Sequence, residues 1–509
     1  MKSSTLACAV ASALMMHTVS AIDFPATDWS GNTDLGSEDA WGGAFPAANV
    51  TFRALDANPL TLTLSQNLTL PLGGNGTVLY SSSGNGKITF DFSADSKTMT
   101  SMGQLAFGGT GADFEFKGGK WDVKDKILFG LNWWGDRTGT TVTLNGVEMQ
   151  AAGRIDGVMT GSDNHIVLTN SASLAMVGTT VYDFIPTKGS VDSSFEVLDG
   201  SRLTFPTAFK QDAGSGETVT DYKSLFRVAG KGARVEQTMN SGAGILVGND
   251  SSHNLAIVED GAWMRGYLTE VGHTAAADWN GVIIRNGGIL TNHSSAAIGA
   301  VAGADHNYVH VLNGGEFQVG DDSRYAPLNI NGSFNELLVS NGTVAAYVIT
   351  VGGVEGNRFT LAGPDAKIYY YSSRTGQKPF FGTGHHHAFT LDAGAVYDYA
   401  GADVVWRKLD EADQGASNVV RVLNGSRFVT PNNALIGSAY VASRGHALSV
   451  EGANSTFSCN QLNVRSDDGS VVVNDGAELS CNQLNVFSAD ASFFVEKRES
   501  DPERAYGVK

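Results

Sequence analysis

Apolar residues recur two apart in short runs along this chain, and glycine, asparagine or aspartate closes most runs. The clearest copy is Asn307-Tyr-Val-His-Val-Leu-Asn-Gly-Gly-Glu-Phe317. Side chains alternate along a strand, so Val309 and Val311 predict one buried face. Asn313-Gly314-Gly315 predicts a turn with positive φ, and a second strand runs from Phe317 to Val319-Gly320. The run carries no reacting group.

The same unit recurs. From Asn49 to Leu174 it is loose, with alternating strands at Leu60–Leu64, Ile88–Phe92, Phe114–Phe116, Val142–Leu144 and Ile166–Leu168. From Phe195 the register sharpens. The first core residue of each opening strand is expected at Phe195, Phe226, Ala256, Val282, Val309, Leu337, Phe359, Phe389, Val420, Leu448 and Val471, at spacings of 22 to 31 residues. Second strands often end in Val-Gly or Ile-Gly, as at Val247-Gly248, Val271-Gly272 and Ile298-Gly299.

A strand-only repeat of this length predicts an all-β fold, a single right-handed parallel β-helix (β-solenoid) of pectin-lyase-like architecture. An antiparallel array of hairpins is the rival; it expects two-residue turns within one sheet, where these returns are long and uneven. Asn254, Asn280, Asn307, Asn335, Asn357 and Asn418 open successive units and are expected to stack as an amide ladder. The expected organisation is a signal peptide over 1–21, a cap over 22–52, repeats over 53–495 and a charged tail over 496–509. Residues 402–417 differ in composition and are expected to form a short helix or excursion.

The ends and the charge add context. Lys2, the apolar run Leu6–Met16 and Val19-Ser20-Ala21 read as a secretory signal cleaved after Ala21, which points to a secreted or cell-surface protein. Cys8 lies too early in that run to serve as a lipid anchor. No later segment is apolar enough to span a bilayer as a helix. The net charge of −18 disfavours nucleic acid and anionic lipid as partners. Cys459 and Cys481 sit in identical heptapeptides, Ser458–Val464 and Ser480–Val486, 22 residues apart. Stacked one coil apart they stand ~4.8 Å from each other, which permits either a disulfide or a buried, reduced ladder.

Chemistry is sparse. Nucleophile-elbow, phosphate-loop, dinucleotide, His-Glu-x-x-His and Cys-x-x-Cys patterns are missing. His385-His386-His387 can attract a transition metal through His385 and His387, but a solvated loop explains it without further ligands. Tyr369–Tyr371, Phe380-Phe381 and Trp406 form one aromatic patch, and Trp133-Trp134 with Asp136-Arg137 another; rings can stack on sugars or fill the solenoid. Asp321-Asp322, Arg324 and Asp260 are conceivable partners for an acid–base reaction and fit turns equally well. Triplets such as Asn67-Leu-Thr69 and Asn341-Gly-Thr343 fit turn chemistry. Accordingly, no catalytic, metal or cofactor residue is assigned. The loops that break the repeat, above all 364–388, are the expected place of any site.

With these residues in view, the chain resembles bacterial autotransporter passengers and the autotransporter-associated β-strand repeat proteins. Trp29-Ser-Gly31, Trp41-Gly-Gly43, Pro46 and Val50-Thr-Phe52 resemble their start, and Asn-x-Val-x-Val-x-Asn-Gly-Gly resembles their repeat. The likeness covers most of 28–486. No outer-membrane barrel, sorting signal or C-terminal anchor motif accompanies it here, so free secretion, retention by another chain and truncation all stay open. The signal, the repeats and the missing catalytic motifs point to an adhesin-like or structural interaction module, leaning away from an enzyme, with glycans or extracellular surface proteins as partners. The alternatives are a carbohydrate-active β-helix enzyme, a polysaccharide lyase or glycoside hydrolase, and a passive filler of a larger secreted assembly.

Overall fold

The computed structural model describes residues 23–24, 34–41, 45, 50–54, 59–70, 77–81, 87–94, 96–129, 138–158, 161–178, 183–213, 222–239, 242, 244–320, 326–371, 378–379, 384–398, 404–405, 417–437, 443–487 and 490–495. The expected signal, most of the expected cap and the tail lie outside them. So do Trp133-Trp134, Asp136-Arg137, Asp321-Asp322, Arg324, Phe380-Phe381, Trp406 and most of the expected excursion at 402–417. The chain divides into two compact units, Met1–Met239 and Asn240–Lys509.

Each unit is a parallel β-solenoid. In the second unit one coil runs through strands Tyr308–Leu312, Glu316–Val319 and Pro327–Ile330. Each of the three pairs in parallel with its counterpart in the coils before and after. The pairings within each unit are parallel, which removes the hairpin array. Register follows the anchors residue for residue. Val282 pairs with Val309, Val309 with Leu337, Leu337 with Phe359, Phe359 with Phe389, and Phe389 with Val420. In the first unit Ile88 pairs with Phe114, Phe114 with Val142, Val142 with Ile166 and Ile166 with Phe195. The only helical turn among the described residues is the 3-10 turn Glu38–Trp41, and no helix there is long and apolar enough to cross a membrane.

Inward residues fill the coils, because a one-residue slip would turn each apolar set outward. The first unit is filled with rings: Phe90 stacks on Phe116 at 5.1 Å between centroids, and Phe92 on Trp121 at 5.8 Å. From Val282 to Val351 the second unit is packed largely with Val, Ile and Leu; rings return at Phe359 and Phe389, 4.9 Å apart. Stacked positions bury apolar on apolar, ring on ring at Phe359 and Phe389 and ring on aliphatic at Phe389 and Val420.

The turn residues act through their backbone. Asn286-Gly287, Asn313-Gly314 and Asn424-Gly425 have positive φ at both positions, which reverses the chain between the opening and second strands. The Val-Gly and Ile-Gly glycines serve another purpose. A Cβ on Gly248, Gly272 or Gly299 would lie 2.2–2.3 Å from the side-chain amide of Asn280, Asn307 or Asn335. The glycine makes room for the asparagine of a later coil.

Candidate interaction surface

The corner between the third strand and the next opening strand is built from a repeated tripeptide. Its copies are Ser252-His-Asn254, Asp278-Trp-Asn280, Asp305-His-Asn307, Ser333-Phe-Asn335, Glu355-Gly-Asn357 and His385-His-His387. The first position faces one neighbouring coil. Ser252 Oγ accepts from the Asp278 N–H (3.1 Å), Asp278 Oδ1 from the Asp305 N–H (2.7 Å), and Asp305 Oδ1 from the Ser333 N–H (2.7 Å). The third position faces the other. Asn280 Oδ1 accepts from the Asn254 N–H (2.9 Å), Asn307 Oδ1 from Asn280 (2.9 Å), Asn335 Oδ1 from Asn307 (2.6 Å) and Asn357 Oδ1 from Asn335 (2.8 Å). Each buried main-chain donor at the corner is thereby satisfied, as its low-dielectric setting requires.

This revises the expected amide ladder. One side-chain bond of that kind exists here, from Asn254 Nδ2 to Asn280 Oδ1 at 2.8 Å. The other asparagines bond main chain. Side-chain amide ladders do form, in the paired heptapeptides: Gln461 to Gln483 (2.8 Å), Asn482 to Asn460 (3.1 Å) and Asn485 to Asn463 (2.8 Å).

The middle position of the tripeptide is left-handed in every copy: His253 (φ 62°), Trp279 (57°), His306 (58°), Phe334 (56°), Gly356 (69°) and His386 (56°). That conformation turns its side chain away from the coil. Three consecutive rings stack as a result. Trp279 and His306 lie 4.2 Å apart with planes 10° from parallel, and His306 and Phe334 lie 5.2 Å apart at 22°. Phe334 then spreads over Gly356, where a Cβ would meet its ring at 2.5 Å. Trp279 is 54% exposed and Phe334 48%. Beside the column, Tyr308 lies over Gly281 and packs on His310 at 4.6 Å. His310 hydrogen-bonds Glu336 at 3.3 Å, and that bond holds the Glu336 carboxyl below its usual range against the opposing effect of burial.

The histidine triplet separates into three environments. His387 is fully buried in the asparagine slot: its Nδ1 accepts from the Asn357 N–H (3.2 Å) and its own N–H donates to Asn418 Oδ1 (2.8 Å). His386 is exposed and bonds Glu355 at 3.1 Å. Chelation by His385 with His387 is therefore excluded by the burial of His387 as a structural acceptor. Among the described residues no group of three His, Cys, Asp or Glu is placed to hold a metal ion. Within 364–388, Tyr369 faces solvent and the Tyr370 hydroxyl meets that of Tyr397 at 3.2 Å. Asp260 sits in a left-handed turn and accepts from Asn286 Nδ2 at 3.2 Å.

Two carboxylate sites bear on catalysis. A cavity of about 310 Å³ in the first unit is lined by Asp34, Ser65, Asp91 and Ser93. Burial pushes Asp34 up, but hydrogen bonds from Ser65 and Gly36 outweigh it; the Ser93 hydroxyl holds Asp91 down. Both are lowered, so neither is a proton donor near neutrality. On an outward sheet face, Lys87 Nζ lies 2.8 Å from Glu115 and 3.8 Å from Asp113. Burial raises Asp113. It works the same way on Glu115, but there Lys87 and Asn145 prevail and lower it. Cys459 and Cys481 are in-register partners and both are free thiols; burial, then the neighbouring Cys481, pushes Cys459 up to about 12.

The fold and corner define a β-solenoid that displays rings on its outside. Compared with known proteins, the chain matches no family model, no curated protein and no solved structure.

Proposed function

We propose that this chain is a secreted or cell-surface interaction module, adhesin-like and not enzymatic, of the autotransporter-passenger type. One observation carries the reading: large rings occupy left-handed backbone positions and face water. The left-handed region costs an ordinary residue of order 1–3 kcal/mol, and another copy of the position uses glycine, at Gly356. Exposing Trp279 and Phe334 adds an apolar surface that solubility does not need. A protein that bears both costs at one corner has a partner for it. The test is binding of the purified protein to panels of cells, matrix proteins and glycans; silence across all three sinks the reading.

A second reading has one supporting observation. Asp113 is raised and Glu115 lowered around a shared lysine, the division of labour that an acid–base pair needs. It would make the chain a carbohydrate-active enzyme. Screening acidic and neutral polysaccharides for new reducing ends or unsaturated products tests it; turnover that survives Asp113→Asn and Glu115→Gln removes it.

A further inference from the structure

The ring column has a chemical direction. His306 has both faces covered, by Trp279 and by Phe334, and Phe334 turns its other face onto Gly356. Stacking a sugar requires a free ring face, so most of the column is closed to a glycan lying along it. Trp279 is different. It is 54% exposed, and among the described residues its one ring neighbour is His306.

The setting of Trp279 is acidic. Asp278 and Asp305 immediately precede Trp279 and His306, and Glu355 stands two coils beyond His306. Residues 251–360 contain ten acidic and four basic residues, a balance of −6, with no lysine. An indole face among carboxylates attracts a cation twice, through the ring quadrupole and through charge. The same field repels acidic glycans and nucleic acid.

We propose that this corner docks a basic polypeptide segment, with an arginine guanidinium laid on the open face of Trp279 and neighbouring cations held by the acidic rim. Arginine suits the site better than lysine, because its planar group stacks and sheds water more readily. The proposal rests on the interaction-module reading and narrows it to one partner chemistry.

The full chain is titrated with an oligoarginine peptide, an oligolysine peptide and neutral oligosaccharides, as wild type and as Trp279→Gly and Trp279→Phe. Glycine suits the left-handed backbone, so Trp279→Gly is expected to keep the wild-type circular dichroism and a Tm no lower. Oligoarginine binds wild type best and weakens with salt. Trp279→Gly weakens it about tenfold, the scale of one partly desolvated cation–π contact, while Trp279→Phe keeps most of it. Equal binding by wild type and Trp279→Gly overturns the proposal, since the acidic surface alone then explains the attraction. Trp279-dependent binding of neutral sugar in place of oligoarginine overturns it too. In both cases the interaction-module reading stands. If no panel of cells, matrix proteins or glycans binds either, both fail.

Discussion

At the scale of single residues, the corner tripeptide separates frame from display. Its first and third side chains bond main chain in opposite directions, while the second points outward. Asn307→Ala leaves the Asn280 N–H without its acceptor and is expected to cost about 1–3 kcal/mol, the penalty for a buried donor left unmade. Gly272→Ala fails for two reasons, a left-handed φ of 75° and a Cβ 2.3 Å from the Asn307 amide. Its cost is expected at about 2–4 kcal/mol, read as a shift in the urea midpoint. A shift below half a kilocalorie in either variant would mean that the corner re-forms by another route. The asparagine positions were legible from their spacing. His387 fills the slot between Asn357 and Asn418, where neither a solvated loop nor a metal ligand was the right reading of the triplet. The ring column was hidden because nothing in Trp279 or Phe334 announces a left-handed backbone. The available signal was position: each stands one residue before a ladder asparagine.

At the scale of strands, alternation told which side chains meet. The anchors pair in register from Val282 to Val471 because only that register buries every apolar set. What lies on the outward face was not legible, since polar and charged side chains there meet partners in other coils, from 22 residues away at Gln461 and Gln483 to 34 at Arg202 and Glu236. His310 and Glu336 are such a pair. The Glu336 carboxyl is lowered in the folded state, so its stabilisation is present above the ordinary glutamate range and is lost as pH falls through the folded value. Wild type is therefore expected to exceed Glu336→Gln in stability near neutrality, with the difference closing in acid. Parallel stability–pH curves for the two proteins would show that the bond contributes nothing.

At the scale of each solenoid, stability is a sum over coils and their neighbours. In the second unit this has a direct test. Removing residues 280–306 joins Trp279 to Asn307 and recreates an Asp-Trp-Asn tripeptide, while Gly281 and Tyr308 already share a register position. The shortened chain is expected to keep its β circular dichroism and unfold cooperatively. An unfolded or aggregated product would show that this coil is not an interchangeable unit. The fold was readable at this scale because every coil repeats one rule, whereas the partner was not, since the rule says nothing about what the corners present.

The left-handed middle residue of the tripeptide has a further consequence for how such a surface changes over generations. Side chains there leave the interior untouched, so substitution at one site in each coil rewrites the outside while the frame keeps its grammar. Change in this protein's binding preference should collect at positions 279, 306, 334 and 386, one per coil, like letters replaced in a fixed line of type.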